Sequence, residues 1–179
     1  MTAGNSEKRY IGRTDEELSE EGRGAVREIE YPECDIVFCS PMKRCLQTAK
    51  IIFPDKKLNI CDNFRECDFG DFEGKNYAEL NGNEKYQEWI DSGGTMRFPG
   101  GESPDEFKKR CCDEFILAVK SLSEDKTAAF VVHGGTIMSV LEKYEIPHKQ
   151  FYERYTENGH GFVCEFDCEN NTIGVTDII

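Results

Sequence analysis

The residues best suited to chemistry lie in Val131-Val132-His133-Gly134-Gly135-Thr136. An apolar run from Ala128 to Val132 ends on a histidine, two glycines follow, and a helical pattern begins. That order places a titratable imidazole at the carboxyl end of a strand, where open α/β sheets hold ligands because loops and helix N-termini converge there. Two glycines let backbone N–H groups approach a ligand, and the helix N-terminus behind them favours an anion. The expected chemistry is contact with a phosphate; the competing reading is a histidine that caps the strand, packed and hydrogen-bonded. Arg44 stands at the mouth of a second unit of the same kind, either as an anion-binding guanidinium or as a solvated surface arginine. Glu66 lies in Asn63 to Gly74, which mixes acids, aromatics and glycines without a clean period and reads as a functional loop. If Phe64, Phe69 or Phe72 desolvates its carboxyl, the pKa rises and Glu66 becomes a candidate general acid.

The elements that must position these groups follow from pattern. Met1 to Arg13 is polar and reads as loop. Ser19 can cap a helix through about Glu30, with Glu20 and Glu21 in its first turn and Pro32 beyond its end. Asp35 to Cys39 is a short apolar run suited to a strand buried on both faces. Ser40-Pro41 predicts a helix start, with serine as cap, proline at the first helical position and Arg44 in the first turn. A strand is expected at 57–60 and a helix over Tyr77 to Ile90. The stretch 62–102 reads as an insertion over the strand ends, a lid. Ser103-Pro104-Asp105-Glu106 is a capping box opening a helix to about Leu122. Its stripe of Phe107, Cys111, Phe115, Ala118, Val119 and Leu122 is core. Gly161 to Asp167 and Thr172 to Ile178 read as a terminal hairpin. These elements predict one α/β domain over 1–179, with a mostly parallel central sheet and helices on both faces.

The chain has 179 residues, 35 acidic against 22 basic, for a formal net charge of −13. With no basic block, nucleic acid and anionic membranes are unexpected partners. No apolar run approaches the ~20 residues of a membrane span, and no signal peptide is visible, so a cytoplasmic location is expected. The nine cysteines form no C-x-x-C pair; reduced, mostly buried thiols are expected rather than a zinc site.

Taken together the motifs resemble the histidine phosphatase superfamily, with its phosphoglycerate-mutase-like fold, over nearly the whole chain. Gly12-Arg13-Thr14-Asp15 with Leu18-Ser19-Glu20-Glu21-Gly22 is similar to the family's G-x-x-D…L-[ST]-x-x-G. Ser40-Pro41-Met42-Lys43-Arg44-Cys45-Leu46-Gln47-Thr48-Ala49 resembles its S-P-x-x-R-x-x-Q-T-A. Arg65-Glu66 through Phe69-Gly70-Asp71-Phe72-Glu73-Gly74 resembles R-E-x-x-F-G-x-W-E-G, with Phe72 where tryptophan is usual. Pro99-Gly100-Gly101-Glu102-Ser103 and Val132-His133-Gly134-Gly135 complete an ordered set of five.

The resemblance implies a metal- and cofactor-independent phosphomonoesterase acting through a phosphohistidine on a small phosphorylated metabolite. It implies Glu66 as proton donor and His133 as a hydrogen-bonding partner of the transferring phosphoryl. Arg44, Asn5, Thr14 and the Gly134 N–H would bind phosphate, and Asn158 and His160 would line the substrate pocket. The short connection after Gly74 favours a phosphatase, such as α-ribazole phosphatase, over a phosphoglycerate mutase; a non-catalytic phospho-ligand-binding protein is the alternative from another class.

The family opens with a strand ending in Arg-His-Gly, often continued as x-T-x-x-N, which Met1-Thr2-Ala3-Gly4-Asn5 matches. The resemblance therefore places the nucleophilic histidine and one arginine just before Met1. The expectation is that Met1 is an internal methionine and that residues 1–179 alone are inactive or impaired; a natural truncation with lost catalysis is the alternative. The first family strand would then be missing from inside the sheet, and the unpaired edges would invite a homodimer.

Overall fold

The computed structural model describes residues 1–179. Three parallel strands, β1 (Ile36–Cys39), β2 (Leu58–Ile60) and β3 (Ala128–Val131), form the central sheet in the order β2-β1-β3. β1 and β3 pair directly, Cys39 opposite Val131, and β3 is the last strand on its side of this sheet, so its outer edge has no strand partner. Alternation along both strands divides the core. Val37, Cys39, Ala129 and Val131 face α3 (Lys43–Ile52) through Cys45, Leu46, Ala49 and Phe53. Phe38, Ala128 and Phe130 face α6 (Pro104–Lys120) through Phe115 and Ala118. Helices thus cover both faces, as period-2 burial on both sides requires. Phe38 and Phe130 stack with ring centroids 5.1 Å apart, and Phe64 meets Phe130 edge-on.

Helix starts follow their caps. Ser19 Oγ accepts from Gly22 N–H at the head of α2 (Glu20–Glu28), and Ser103 with Glu106 closes both halves of the capping box at α6. α7 (Gly134–Tyr144) begins directly after β3 with His133 at its cap position. β4 (Phe162–Asp167) and β5 (Thr172–Ile178) form the expected hairpin as a separate antiparallel sheet. It joins the body where Ile146 N–H donates to Ile173 C=O at 2.9 Å.

Three expectations need correction. Met1 to Arg13 is not all loop: Thr2 caps a single turn, α1 (Ala3–Ser6), in a capping box with Asn5. The helix expected over 77–90 divides into α4 (Tyr77–Leu80) and α5 (Glu84–Asp91), because Gly82 between them adopts φ +82° and Asn83 starts a new cap. The helix expected at Ser40-Pro41 begins only at Lys43, and Met42 at its cap offers no side-chain acceptor. Asp15 supplies it instead, its Oδ1 accepting from Lys43 N–H at 2.7 Å.

The stretch 62–102 carries its own core of Cys67, Phe72, Leu80 and Phe98, packed on Phe107 and Cys111 of α6. Tyr10, Phe69, Tyr86 and Trp89 surround it. Seven of the nine cysteines are buried free thiols; Cys164 and Cys168 of the hairpin are exposed.

Candidate functional site

Parallel pairing of β1 with β3 brings the ends of both strands together. Ser40 N–H donates to Val131 C=O at 3.1 Å, which extends the ladder and seats Ser40 beside His133. Arg44 projects from the first turn of α3 to the same point. All three are buried: Ser40 is inaccessible, His133 is 6% exposed and Arg44 8%. The surface reading of Arg44 is excluded by that burial.

The hydrogen bonds define the imidazole. Arg44 Nε–H donates to His133 Nδ1 at 3.3 Å, so Nδ1 holds a lone pair. His133 Nε2 then carries the proton and donates to Ser40 Oγ at 2.8 Å. Burial holds the imidazole well below its ordinary pKa, and the charges of Arg44 and Arg110 add to that shift. His133 is a neutral donor with its N–H aimed by its neighbours. Cys45 Sγ lies 3.6 Å from Nε2, but burial raises its thiol pKa, so it stays neutral.

The remaining Arg44 donors reach the backbone of the Ile11–Thr14 loop. Nη1 donates to Thr14 C=O at 3.0 Å and Nη2 to Gly12 C=O at 3.0 Å. Glu73 grips that loop from its other side. Its Oε1 accepts from Gly12 N–H at 3.0 Å and Arg13 N–H at 2.7 Å, and Oε2 from the Thr14 hydroxyl at 2.7 Å. Gly12 is required here, since a Cβ would lie 1.8 Å from Cys67 C=O.

Glu66 meets this cluster from the 62–102 side. Its Oε1 accepts from Cys67 N–H at 2.9 Å, and the backbone of Gly135 in the first turn of α7 lies against the same carboxyl. Gly135 fits because a Cβ there would sit 2.8 Å from Glu66 Oε1. Burial raises the Glu66 carboxyl; the Cys67 N–H, the Gly135 backbone and the charges of Arg44 and Arg110 oppose the rise without cancelling it.

The structure therefore brings His133, Arg44 and Glu66 together, with Thr14 contributing its carbonyl and Gly134 opening α7 behind the imidazole. It places the others apart. The Asn5 carboxamide oxygen accepts from Thr2 N–H and the Thr2 hydroxyl within its own turn. Asn158 and His160 are exposed. His160 Nδ1 donates to Ile179 C=O at 2.8 Å at the base of the hairpin, and no hydrogen bond links it to His133, Arg44 or Glu66. Sequence reasoning missed Ser40, Glu73, Glu102 and Arg110. Arg110 had one signal: it falls three residues after Phe107 and beside Cys111, on a stripe read only as core. No group of three or more His, Cys, Asp or Glu side chains converges to hold a metal ion, and no helix is long and apolar enough to cross a membrane.

Residues 1–177 match the family model of the histidine phosphatase superfamily (branch 1). The uncharacterized phosphatase PhoE of Bacillus subtilis is 31% identical over 143 residues, covering 76% of this chain and 69% of that protein. Phosphoserine phosphatase 1 of Hydrogenobacter thermophilus is 30% identical over 135 residues, covering 70% of this chain and 63% of that protein. Matches of this kind span about two thirds of the relatives' length. The crystal structure of the α-ribazole phosphatase from Shigella flexneri shares the fold with a TM-score of 0.83 at 18% identity, covering 98% of this chain and 90% of that one.

Proposed function

The chain belongs to the histidine phosphatase superfamily, and from that premise we propose that it hydrolyses phosphate monoesters of a small metabolite through a phosphohistidine. The observation that carries this reading is the buried cluster itself: guanidinium, imidazole and a carboxyl that burial pushes above the ordinary glutamate range, all at adjacent strand ends. Phosphoryl transfer asks chiefly for positioning and for charge neutralisation of the non-bridging oxygens. Arg44 supplies a planar, permanently charged fork. In this structure its donors go to carbonyls of the Ile11–Thr14 loop. A phosphate dianion is a stronger acceptor than a peptide carbonyl and takes over those donors on binding. His133 turns its Nε2–H from Ser40 to a phosphoryl oxygen. Glu66, kept protonated by burial, delivers its proton to the leaving oxygen as the P–O bond breaks and a P–N bond forms to the nucleophilic histidine. The resulting carboxylate then takes a proton from water as water attacks phosphorus, which releases phosphate and restores both groups.

None of the three histidines, His133, His148 and His160, stands in an Arg-His-Gly triplet. We assign the nucleophile to such a triplet outside residues 1–179. The phosphoserine and phosphoglycerate names among the relatives support a small hydroxy-acid phosphate as substrate, and the α-ribazole phosphatase fold supports a nucleoside-like alternative.

The test is a hydrolysis panel of p-nitrophenyl phosphate, phosphoserine, 3-phosphoglycerate and α-ribazole phosphate. It compares residues 1–179 with the same chain preceded by a strand ending in Arg-His-Gly. Turnover is expected in the extended chain and near background in the shorter one. Arg44→Ala lowers kcat/KM about 100-fold or more. Glu66→Gln costs far more on phosphoserine, whose alkoxide needs a proton, than on p-nitrophenyl phosphate, whose leaving group does not. Equal turnover by both chains overturns the external nucleophile. Phosphate binding with no turnover in either overturns hydrolysis in favour of a phospho-ligand-binding protein.

A further inference from the structure

We propose that Arg110 is the positioning residue for Glu66: its guanidinium, carried on α6 and held by Glu102, gathers the backbone carbonyls of the loop carrying that carboxyl and ties them to the helix. This rests on Glu66 acting as described above. The geometry uses every face of the guanidinium. Nε donates to Glu102 Oε1 at 2.7 Å and Nη2 to Glu102 Oε2 at 2.8 Å, a bidentate pair. Nη1 donates to the carbonyls of Asn63 at 2.6 Å and Arg65 at 2.7 Å, and Nη2 to the Glu66 carbonyl at 3.1 Å. Three carbonyls within four consecutive residues thus converge on one side chain.

Glu102 anchors the arrangement a second time. Its Oε2 accepts from Asp68 N–H at 3.4 Å, and its own N–H donates to Asp68 C=O at 2.9 Å. The loop is therefore held on both sides of Glu66, at 63–66 by Arg110 and at Asp68 by Glu102. The guanidinium also lies over the Phe107 ring at 5.0 Å, which fixes its plane. Arg110 does not touch the Glu66 carboxyl; the hydrogen bond to that carboxyl comes from Cys67 N–H. A Lys in its place would keep the charge and lose the fork, so the two roles of the residue can be separated.

The two roles also move Glu66 in opposite directions. If Arg110 holds the loop, its removal lets water reach the carboxyl, and the Glu66 pKa falls toward the ordinary glutamate range. If Arg110 acts only as a nearby positive charge, its removal raises that pKa further. The experiment is a ¹³C titration of glutamate carboxyls in residues 1–179, with the Glu66 signal assigned by Glu66→Gln. Amide hydrogen exchange is followed at Cys67 and across α6. In Arg110→Lys and Arg110→Met the Glu66 midpoint is expected to fall, and Cys67 N–H to lose protection at least tenfold, while α6 amides keep theirs. Arg110→Lys covers the case in which the Met variant fails to fold, and Glu102→Gln, which breaks one arm of the fork, is expected to give an intermediate shift. A rise in Arg110→Met, or an unmoved midpoint with intact Cys67 protection in Arg110→Lys, overturns the proposal. A fall in the Glu66 midpoint alongside a Glu66→Gln variant with no leaving-group dependence leaves Arg110 as positioner and removes Glu66 as the acid.

Discussion

Two arginine–glutamate clamps brace this molecule, and they do different work. Arg110 with Glu102 and Arg154 with Glu145 are both bidentate through Nε and Nη2. The Glu145 side chain is 2% exposed and Arg154 18%, against 16% for Glu102 and 23% for Arg110. Arg154 lies over the Phe162 ring, and Glu145 stands at the end of α7 beside β5. That clamp fastens the hairpin and the 151–154 turn to the body. Arg110 has further donors on three loop carbonyls and so fixes the backbone around Glu66. The deeper pair secures tertiary structure; the shallower one sets the place of a chemical group.

The largest expected effect breaks the deeper clamp. Arg154→Met leaves a buried, unpaired carboxylate and costs about 3–5 kcal/mol in urea unfolding, with the Glu66 carboxyl titration unmoved. A shift at Glu66 would erase the distinction between the clamps. Arg110→Met costs less, about 2 kcal/mol, because Glu102 can be hydrated and the freed carbonyls are partly exposed; its signature is the changed Glu66.

A pH series sharpens the contrast at the site itself. His133 has its folded pKa below the ordinary 6.5, so the unfolded chain takes up a proton that the folded one refuses. Its contribution is present above about pH 6.5 and is lost as pH falls, with a slope of at most about 1.4 kcal/mol per pH unit. His133→Gln, which can still accept from Arg44 and donate to Ser40, flattens that limb of the stability curve. Glu66 has the opposite sign. Its folded pKa lies above the ordinary 4.5, so its contribution is present below that value and lost as pH rises. Glu66→Gln is therefore more stable than the parent at pH 7, and the gain vanishes near pH 4; an advantage that persists there would place its origin outside ionisation.

The smallest effect is at Asp15. Asp15→Ala removes the acceptor at the head of α3 and costs about 1 kcal/mol in thermal or urea unfolding. The loss is expected to weaken phosphate binding through Arg44 without shifting Glu66. A displaced Glu66 titration would mean that the two sides of the site are coupled through the Ile11–Thr14 loop.

The sequence by itself determined the strands, most helices and the three groups that meet at the site. Those signals are local: a continuous apolar run in Asp35–Cys39, capping residues at Ser19 and Ser103, glycines after His133, and an ordered set of short motifs. Its errors of element were local too, in Met1–Arg13, at Ser40-Pro41 and in 77–90, where one turn of backbone decides between forming, continuing and breaking a helix. Only the tertiary structure decided which partners these groups have. Ser40 reaches His133 across 93 residues, Glu73 reaches Gly12 across 61, Arg110 reaches the Glu66 carbonyl across 44, and Asp15 caps Lys43 across 28. No periodicity spans such distances, and a hydrogen bond constrains two atoms without constraining the residues between them. The physical reason is that side-chain type and spacing fix what a group can do, while its protonation state and aim are set by burial and by neighbours that only folding assembles.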